Sequence, residues 1–301
     1  MKTDMRVIVM DLYDFGQLVK TLRKNSVDEY GNRWTRESLS SAIHLTTNQL
    51  GRLERGDRKY LDNQTLQLLA DSLQLTNLEK KEFLKAAIGL SDEKLHSKED
   101  PLAQLNKLIE SMESLQVPAY INDVYSDIVA VNTAALSLYQ ITPELIDFAQ
   151  TEPVGLNMLY FIYSPEVGYK EIIGSGWRES ADLTMLFFRR TSLRYRHTEY
   201  FAYIIKEMLR DKQFYIDWHS SHRFQEYQDI SYEHFDYKHP LYGPLKYIAT
   251  ETVVHTQKGD LFFMIYNPAD STTAHTFTQI KNNHGNRAYR MAEWPEKIIP
   301  A

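Results

Sequence analysis

Residues 35–56, which read TRESLSSAIHLTTNQLGRLERG, constrain the fold of this chain more than any other stretch. Thr35 and Thr46 are each placed to cap a short helix, because a threonine hydroxyl can accept a hydrogen bond from a free amide of the first turn. His44 and Leu45 leave room only for a tight turn between the two helices. The residues spaced to face a core are Leu39, Ala42, Ile43, Leu50 and Leu53. Two helices this short cannot enclose a core alone, so they must pack against others.

Two apolar stripes flank this pair of short helices. The stripe before the pair consists of Phe15, Leu18, Val19 and Leu22. The stripe after the pair consists of Leu66, Leu69, Ala70 and Leu73. Because both repeat every three or four residues, as one face of an α-helix does, the pattern predicts an all-α bundle over residues 14–89.

The rest of the 301-residue chain has a different pattern. Alternating apolar stretches such as AYINDVYSDIVAVN and DLFFMIYNP stand between helical segments and predict a mixed domain. The polar run LSDEKLHSKEDP is typical of a linker. We therefore predict a multidomain fold, in which an all-α helix-turn-helix bundle is followed by an α+β domain. The expected boundaries are 1–90 for the bundle, 91–104 for the linker, 105–285 for the second domain and 286–301 for a C-terminal tail.

The net charge of −6 does not exclude a nucleic-acid partner, because affinity depends on the charge that faces the phosphates. Between Arg33 and Lys59, six basic residues stand against three acidic ones. The chain has no cysteine, which fits a reducing compartment, and its first residues are too charged for a signal peptide or a membrane span. We expect a cytoplasmic protein without membrane insertion.

The outward face of the second short helix carries residue types that read DNA. At the start of a helix in the major groove, asparagine or glutamine can form two hydrogen bonds with adenine, so Asn48 and Gln49 are the expected base readers. Arg52 is expected to reach a guanine or a phosphate. The remaining expected DNA contacts are Arg36, Thr46, Thr47, Arg55, Arg58 and Lys59. The expected partner is double-stranded DNA, bound by a homodimer at two half-sites.

These residues resemble the XRE (Cro/repressor-like) helix-turn-helix family without a gap. Leu39 stands at the leucine of its first helix, Leu45 at the apolar residue after the turn, and residues 50–56 are similar to its closing signature. The chain departs from the family pattern at Ser40 and at His44, which replaces the usual turn glycine, although histidine tolerates a left-handed backbone. The resemblance implies a sequence-specific transcription regulator. The alternative is a structural helical hairpin with a solvated charged face.

Four later stretches appear in an order that resembles another family. They are residues 118–135, residues 155–161, Trp177 with Phe188-Arg189 and the segment 214–218, and His239-Pro240 with Gly243 and residues 262–268. Together they resemble the MmyB-like ligand-binding domain over residues 105–280, which implies a PAS-like fold and a sensory role.

The MmyB-like resemblance also implies an apolar cavity for a small, fatty-acid-like ligand. We expect no cofactor apart from such a ligand. The candidate lining residues are Phe161, Met185, Phe187, Phe188, Phe214 and Trp218. Arg189 or Arg190 would pair with a carboxylate at the mouth of the cavity. Taken singly, each of these aromatic residues is more often part of an ordinary core than of a pocket. The expected route of transmission from ligand to DNA is the linker, residues 90–115.

Two other functions for the second domain remain open. His219 and His222 could share a metal or acid–base site, but metal-dependent hydrolases commonly place two histidines four apart with a glutamate between them. We therefore expect neither a metal nor an enzyme. The domain could also be a ligand-free dimerisation or protein-interaction module, because aromatic side chains suit an interface as well as a pocket.

Overall fold

The computed structural model describes residues 2–3, 10–57, 61–88, 99–227 and 232–299. A helical N-terminal region is followed by a domain that combines a six-stranded antiparallel sheet with helices, which confirms the predicted order of an all-α part and an α+β part. None of the helices within these ranges is long and apolar enough to cross a membrane.

The N-terminal region begins with a short strand and continues as helices. Its elements are β1 (Lys2–Thr3), α1 (Leu12–Asn25), α2 (Arg36–Ala42), α3 (Thr47–Glu54), α4 (Asn63–Ser72) and α5 (Asn77–Ile88). Both predicted apolar stripes are buried in one core, together with Leu39, Ile43, Leu50 and Leu53. Ala42, which we expected in this core, is exposed, whereas Ser40 is buried.

In the C-terminal domain the first two strands of the sheet are followed by a series of helices, and the remaining strands come after these helices. Its first elements are α6 (Pro101–Ser114), β2 (Ala119–Asp123), β3 (Ile128–Asn132), α7 (Thr133–Leu138), α8 (Pro143–Thr151), α9 (Met158–Tyr163), α10 (Tyr169–Ile173), α11 (Trp177–Ser192), α12 (Glu199–Met208) and α13 (Lys212–His219). Its last elements are β4 (Tyr232–His239), β5 (Gly243–Val254), β6 (Leu261–Pro268), α14 (Ser271–His284), β7 (Ala288–Arg290) and β8 (Lys297–Ile298).

The sheet has the order β4-β5-β6-β2-β3-β7 and is covered on both faces. Strand β6 contributes to the cores on both faces, because its side chains alternate between the two faces. Phe262, Met264 and Tyr266 join the large core formed with helices α7 to α14, while Leu261 and Phe263 join a smaller core. Helix α6 closes that smaller core with Leu105, Leu108, Ile109 and Met112. The sheet therefore lies between α6 and the main helical layer.

The residues that we set apart as a C-terminal tail are part of this domain. Strand β7 pairs with β3 at the edge of the sheet, and β8 pairs with β1 at the other end of the chain. Trp294 is buried in the smaller core, and Lys297 is buried as well. The predicted boundary at residue 285 therefore does not correspond to the end of the folded domain.

Candidate functional site

The stretch predicted as a helix-turn-helix folds as α2, a tight turn and α3. Thr35 accepts a hydrogen bond from the amide of Ser38 at 3.0 Å, and Thr46 accepts one from the amide of Gln49 at 3.2 Å. His44 adopts a left-handed backbone with φ 56°, the conformation that the turn requires and that histidine tolerates. Both caps and the turn are thus where local sequence signals put them.

A close approach between α1 and α3 fixes the position of the second short helix. A Cβ atom on Gly16 of α1 would lie 2.4 Å from the carbonyl oxygen of Leu53, so only glycine permits this contact. Leu50 and Leu53 are buried against α1 and its neighbours. The opposite face of α3 is consequently left to solvent.

Glu54 at the end of α3 forms a buried ionic cluster with two arginines. Its Oε1 lies 2.6 Å from Nε of Arg23 on α1, and its Oε2 lies 2.7 Å from Nη2 of Arg36 on α2. Burial of Glu54 raises the pKa of its carboxyl, but the hydrogen bonds and charges of the two arginines outweigh it and hold that pKa below its ordinary value. The cluster ties the three helices together.

The exposed face of α3 displays most of the predicted DNA contacts. The exposed residues on or beside α3 are Thr46, Thr47, Asn48, Gln49, Arg52 and Arg55. Gln49 also uses its Oε1 to accept a hydrogen bond from the amide of Thr46 at 2.8 Å, which completes a capping box. The carboxamide of Gln49 therefore contributes both to the helix cap and to the exposed surface. Asn48 contributes to the exposed surface and not to the cap.

The predicted phosphate contacts fall into three groups. Arg36 is committed to Glu54, although 43% of its side chain is exposed. Arg55 pairs with Asp57 at 2.9 Å, and both are exposed, so phosphate could replace that carboxylate. Arg58 and Lys59 lie outside the described residues.

An apolar cavity of about 80 Å³ lies in the C-terminal domain, between the sheet and helices α7, α9, α10 and α11. A cavity needs about 10–15 Å³ to hold one water molecule. This cavity is several times larger and can therefore hold several non-hydrogen atoms of a ligand. Its walls come from β2 to β6 and from those helices, and none of the lining residues within the described part of the chain is charged.

Tyrosine hydroxyls form a buried polar cluster beside the cavity. The hydroxyl of Tyr139 donates to that of Tyr266 at 2.5 Å and lies 3.4 Å from that of Tyr247. Burial raises the pKa of all three phenols well above 10, so they are neutral hydrogen-bonding groups at any physiological pH.

Helix α11 presents a stripe of residues to the cavity. The stripe consists of Ser180, Leu183, Thr184 and Phe187, which recur at three- and four-residue spacing and so share one helix face. Of the predicted set, Phe161 from α9 and Phe187 line the cavity. Sequence reasoning missed the other three members of the stripe, although their spacing alone was a usable signal.

The other predicted ligand-binding residues lie away from the cavity. Met185 is fully buried in the core, and Phe188 and Phe214 pack against Trp218 with ring centroids 5.8 and 6.1 Å away. Arg189 lies over the Trp218 ring rather than at the cavity mouth, and Arg190 pairs with Glu251. The structure thus does not bring the predicted set into one pocket, because successive residues of a helix point about 100° apart.

Arg189 instead belongs to a buried contact between the two regions of the chain. Glu79 of α5 is fully buried and binds Arg189 at 3.0 Å and also Arg196. Burial raises the pKa of Glu79, but the charges of the arginines and the amide of Thr76 outweigh it and lower that pKa to about 2. Both guanidinium groups also lie over the ring of Trp218, at 4.7 and 5.1 Å.

Apolar packing reinforces this contact. Leu193, which directly follows α11, is buried in the N-terminal core, and Leu78 of α5 is buried in the large core of the C-terminal domain. At the rim, Arg194 lies 3.3 Å from Glu82. The end of α11 and the start of α5 are therefore packed as one unit.

A third buried ionic cluster fastens the C-terminal segment. Lys297 binds Asp123 and lies 2.6 Å from Asp127, which also accepts a hydrogen bond from the hydroxyl of Tyr200 at 2.7 Å. Burial and the neighbouring carboxylate of Asp127 raise the pKa of Asp123 to about 6, against the effect of Lys297.

The histidines that raised the alternative of a metal site are both exposed. Nδ1 of His219 lies 2.8 Å from the carbonyl oxygen of Tyr215, and the ranges that the structure describes contain no group of three or more histidine, cysteine or carboxylate side chains able to hold a metal ion.

Comparison with known proteins gives one family. No curated protein matches the chain. The model of the MmyB-like transcription regulator ligand binding domain matches residues 103–279, a range that contains the sheet strands β2 to β6 and all lining residues of the apolar cavity. The matched range is more than half of the chain, and the chain belongs to the MmyB-like transcription regulator ligand-binding domain family.

Proposed function

We propose that this protein is a sequence-specific DNA-binding transcription regulator controlled by a small apolar ligand. In this proposal the N-terminal region is an XRE-type helix-turn-helix, the C-terminal domain has a PAS-like fold, and the protein acts in the cytoplasm as a homodimer on double-stranded DNA. The proposal assigns the protein no enzymatic activity.

The observation that supports DNA binding most directly is the exposed face of α3. Thr47, Asn48 and Arg52 project from a helix that is capped, docked against α1 and held at its end by the Glu54 cluster. A rigid helix with these residue types near its N-terminus suits the major groove. Two such helices in a dimer would read two half-sites, so that their separation would control affinity.

The cavity supports ligand control over a ligand-free interaction module. The stripe of α11 that lines the cavity is followed along the chain by Arg189, which binds Glu79, and by Leu193, which is buried in the N-terminal core. An occupant that shifts α11 would therefore shift α5 and the helices packed on it. This route replaces the linker as the proposed path of transmission. Residues 90–98 of that linker lie outside the described residues.

Selection of binding sites from random DNA duplexes tests the DNA-binding part. We expect the wild-type protein to enrich one motif, and Asn48→Ala to lose discrimination at one base pair by about tenfold, because a two-bond contact to adenine contributes about 1–3 kcal/mol. Gln67→Ala, an exposed change on α4, is the matched control and should leave the motif unchanged. Failure of the wild type to enrich any motif, or an unchanged motif for Asn48→Ala, would contradict the proposal.

A further inference from the structure

One polar side chain in the cavity wall has no hydrogen-bonding partner for its acceptor atom. Asn122 of β2 is 2% exposed and lines the cavity, and its Oδ1 atom meets no donor among the described residues. The pairing of β2 with β3 shifts register between Ile121 and Asn122. Such irregularities often re-aim a side chain next to a binding site.

A buried acceptor without a donor is costly in a native protein, at about 1–3 kcal/mol. A buried atom of this kind calls for an explanation. Because Asn122 lines the cavity, a bound molecule would supply the partner that the fold itself does not provide. In the orientation that the Asn122 side chain adopts, the atom without a partner is the amide oxygen. An amide oxygen accepts hydrogen bonds, so the partner that fits it is a donor, such as a hydroxyl or an N–H group.

The rest of the cavity limits the charge of that partner. The polar groups that line it besides Asn122 are hydroxyls of serine, threonine and tyrosine, and none of the lining residues that the structure describes is basic. Arg189 and Arg190, the expected partners of a carboxylate, are bound to Glu79 and Glu251 instead. A carboxylate in this cavity would lose its hydration without gaining a cation, which is strongly unfavourable.

We infer that the cavity binds an uncharged apolar molecule carrying a hydrogen-bond donor, which Asn122 Oδ1 recognises, and that it discriminates against carboxylates. This inference rests on the proposed ligand-binding function and specifies its ligand class. It differs from the fatty-acid-like ligand that the resemblance implied, because the head group is neutral and is a donor.

Three eight-carbon probes test the inference on the full-length protein by calorimetric titration. 1-Octanol offers a donor, its isomer 1-methoxyheptane offers only an acceptor, and octanoate is fully ionised at about pH 8. We expect 1-octanol to bind about tenfold more tightly than its isomer, the equivalent of one buried hydrogen bond. We expect octanoate to bind about a hundredfold more weakly than 1-octanol, because its charge is not compensated.

Asn122→Leu, which keeps a similar volume, provides the second arm. We expect it to remove the preference for 1-octanol over 1-methoxyheptane while the ether binds as before, so that the ether serves as the internal control. If this variant does not fold, the comparison of the three probes on the wild type still tests the inference.

The outcomes separate the inference from the function on which it rests. Octanoate binding as tightly as 1-octanol, or the ether binding as tightly as the alcohol, would overturn the neutral-donor inference and leave an apolar ligand site in place. If none of the three probes shows saturable binding, the proposal of ligand control is itself contradicted.

Discussion

Glu54 and Glu79 are both buried glutamates paired with two arginines, but they join very different parts of the chain. Glu54 binds arginines 31 and 18 residues away, inside the N-terminal region. Glu79 binds arginines 110 and 117 residues away, in the C-terminal domain. The first cluster shapes the proposed DNA-reading surface, and the second joins the N-terminal region to the helix that lines the cavity.

The two clusters also differ in how easily water can replace the glutamate. In the Glu54 cluster the side chain of Arg23 is 9% exposed and that of Arg36 is 43% exposed. In the Glu79 cluster both arginines are buried, with Arg189 7% and Arg196 6% exposed. Because an arginine that loses its partner must regain hydration, the Glu79 cluster is the less tolerant of the two. Disruption of the two clusters should therefore have separable consequences.

The largest effect is expected for Glu79→Gln. Two buried guanidinium groups lose their counter-charge, so the free energy of unfolding should fall by about 3–5 kcal/mol in denaturant titrations. Glu82→Gln, on the same helix and paired with Arg194 at the rim, should cost about 1 kcal/mol or less. Equal losses for the two variants would contradict a special role for Glu79.

Acid should weaken the same contact. The pKa of Glu79 is lowered from 4.5 to about 2, so its contribution to stability is complete above about pH 4.5 and is lost as the pH falls towards about 2. That shift corresponds to about 3 kcal/mol. The stability difference between wild type and Glu79→Gln should therefore shrink on acidification. Because Asp123 titrates in both proteins, it cancels from this difference, and a difference independent of pH would rule out the ionised Glu79.

A smaller effect is expected for Glu54→Gln, because Arg36 can turn to water. The free energy of unfolding should fall by about 2 kcal/mol, the scale of hydrogen bonds to a charged group. DNA affinity should nevertheless fall more than in Glu82→Gln, since α3 loses its anchor to α1 and α2. Unaltered affinity in a filter-binding or anisotropy titration would show that the Glu54 cluster does not shape the reading surface.

The smallest expected effect concerns the cap of α3. Thr46→Ala removes the acceptor for the amide of Gln49 and should cost about 1 kcal/mol in thermal unfolding. Thr47→Ala, one position further and exposed, should change stability by about 0.5 kcal/mol or less while weakening DNA binding. The reverse order of stabilities would mean that Thr46 is not the effective cap.

The helix-turn-helix and the cavity also differ in how much of each could be predicted from the sequence. The caps Thr35 and Thr46, the turn at His44 and the buried faces of α2 and α3 rest on signals within a few residues, and the structure agrees except at Ala42. The wall of the cavity could not be predicted as securely. Phe187 and Phe188 are equally apolar neighbours on α11, and only the tertiary fold decides that Phe187 faces the cavity and Phe188 faces Trp218.

Long-range ionic clusters carried no local signal at all. Glu79 looks like a surface residue of a charged helix, and Lys297 looks like part of a polar tail, yet both are buried by partners more than 100 residues away. Their burial depends on two complementary charges meeting in the folded chain, which no window of the sequence contains.

The most direct test of the account is the affinity for the selected DNA duplex, measured by fluorescence anisotropy with and without 1-octanol, in wild type and in Glu79→Gln. We expect the probe to change the wild-type dissociation constant by about fivefold or more, the usual lower range of allosteric coupling, and to leave that of Glu79→Gln unchanged. No change in the wild type, or the same change in both proteins, would contradict control of DNA binding through α11 and Glu79.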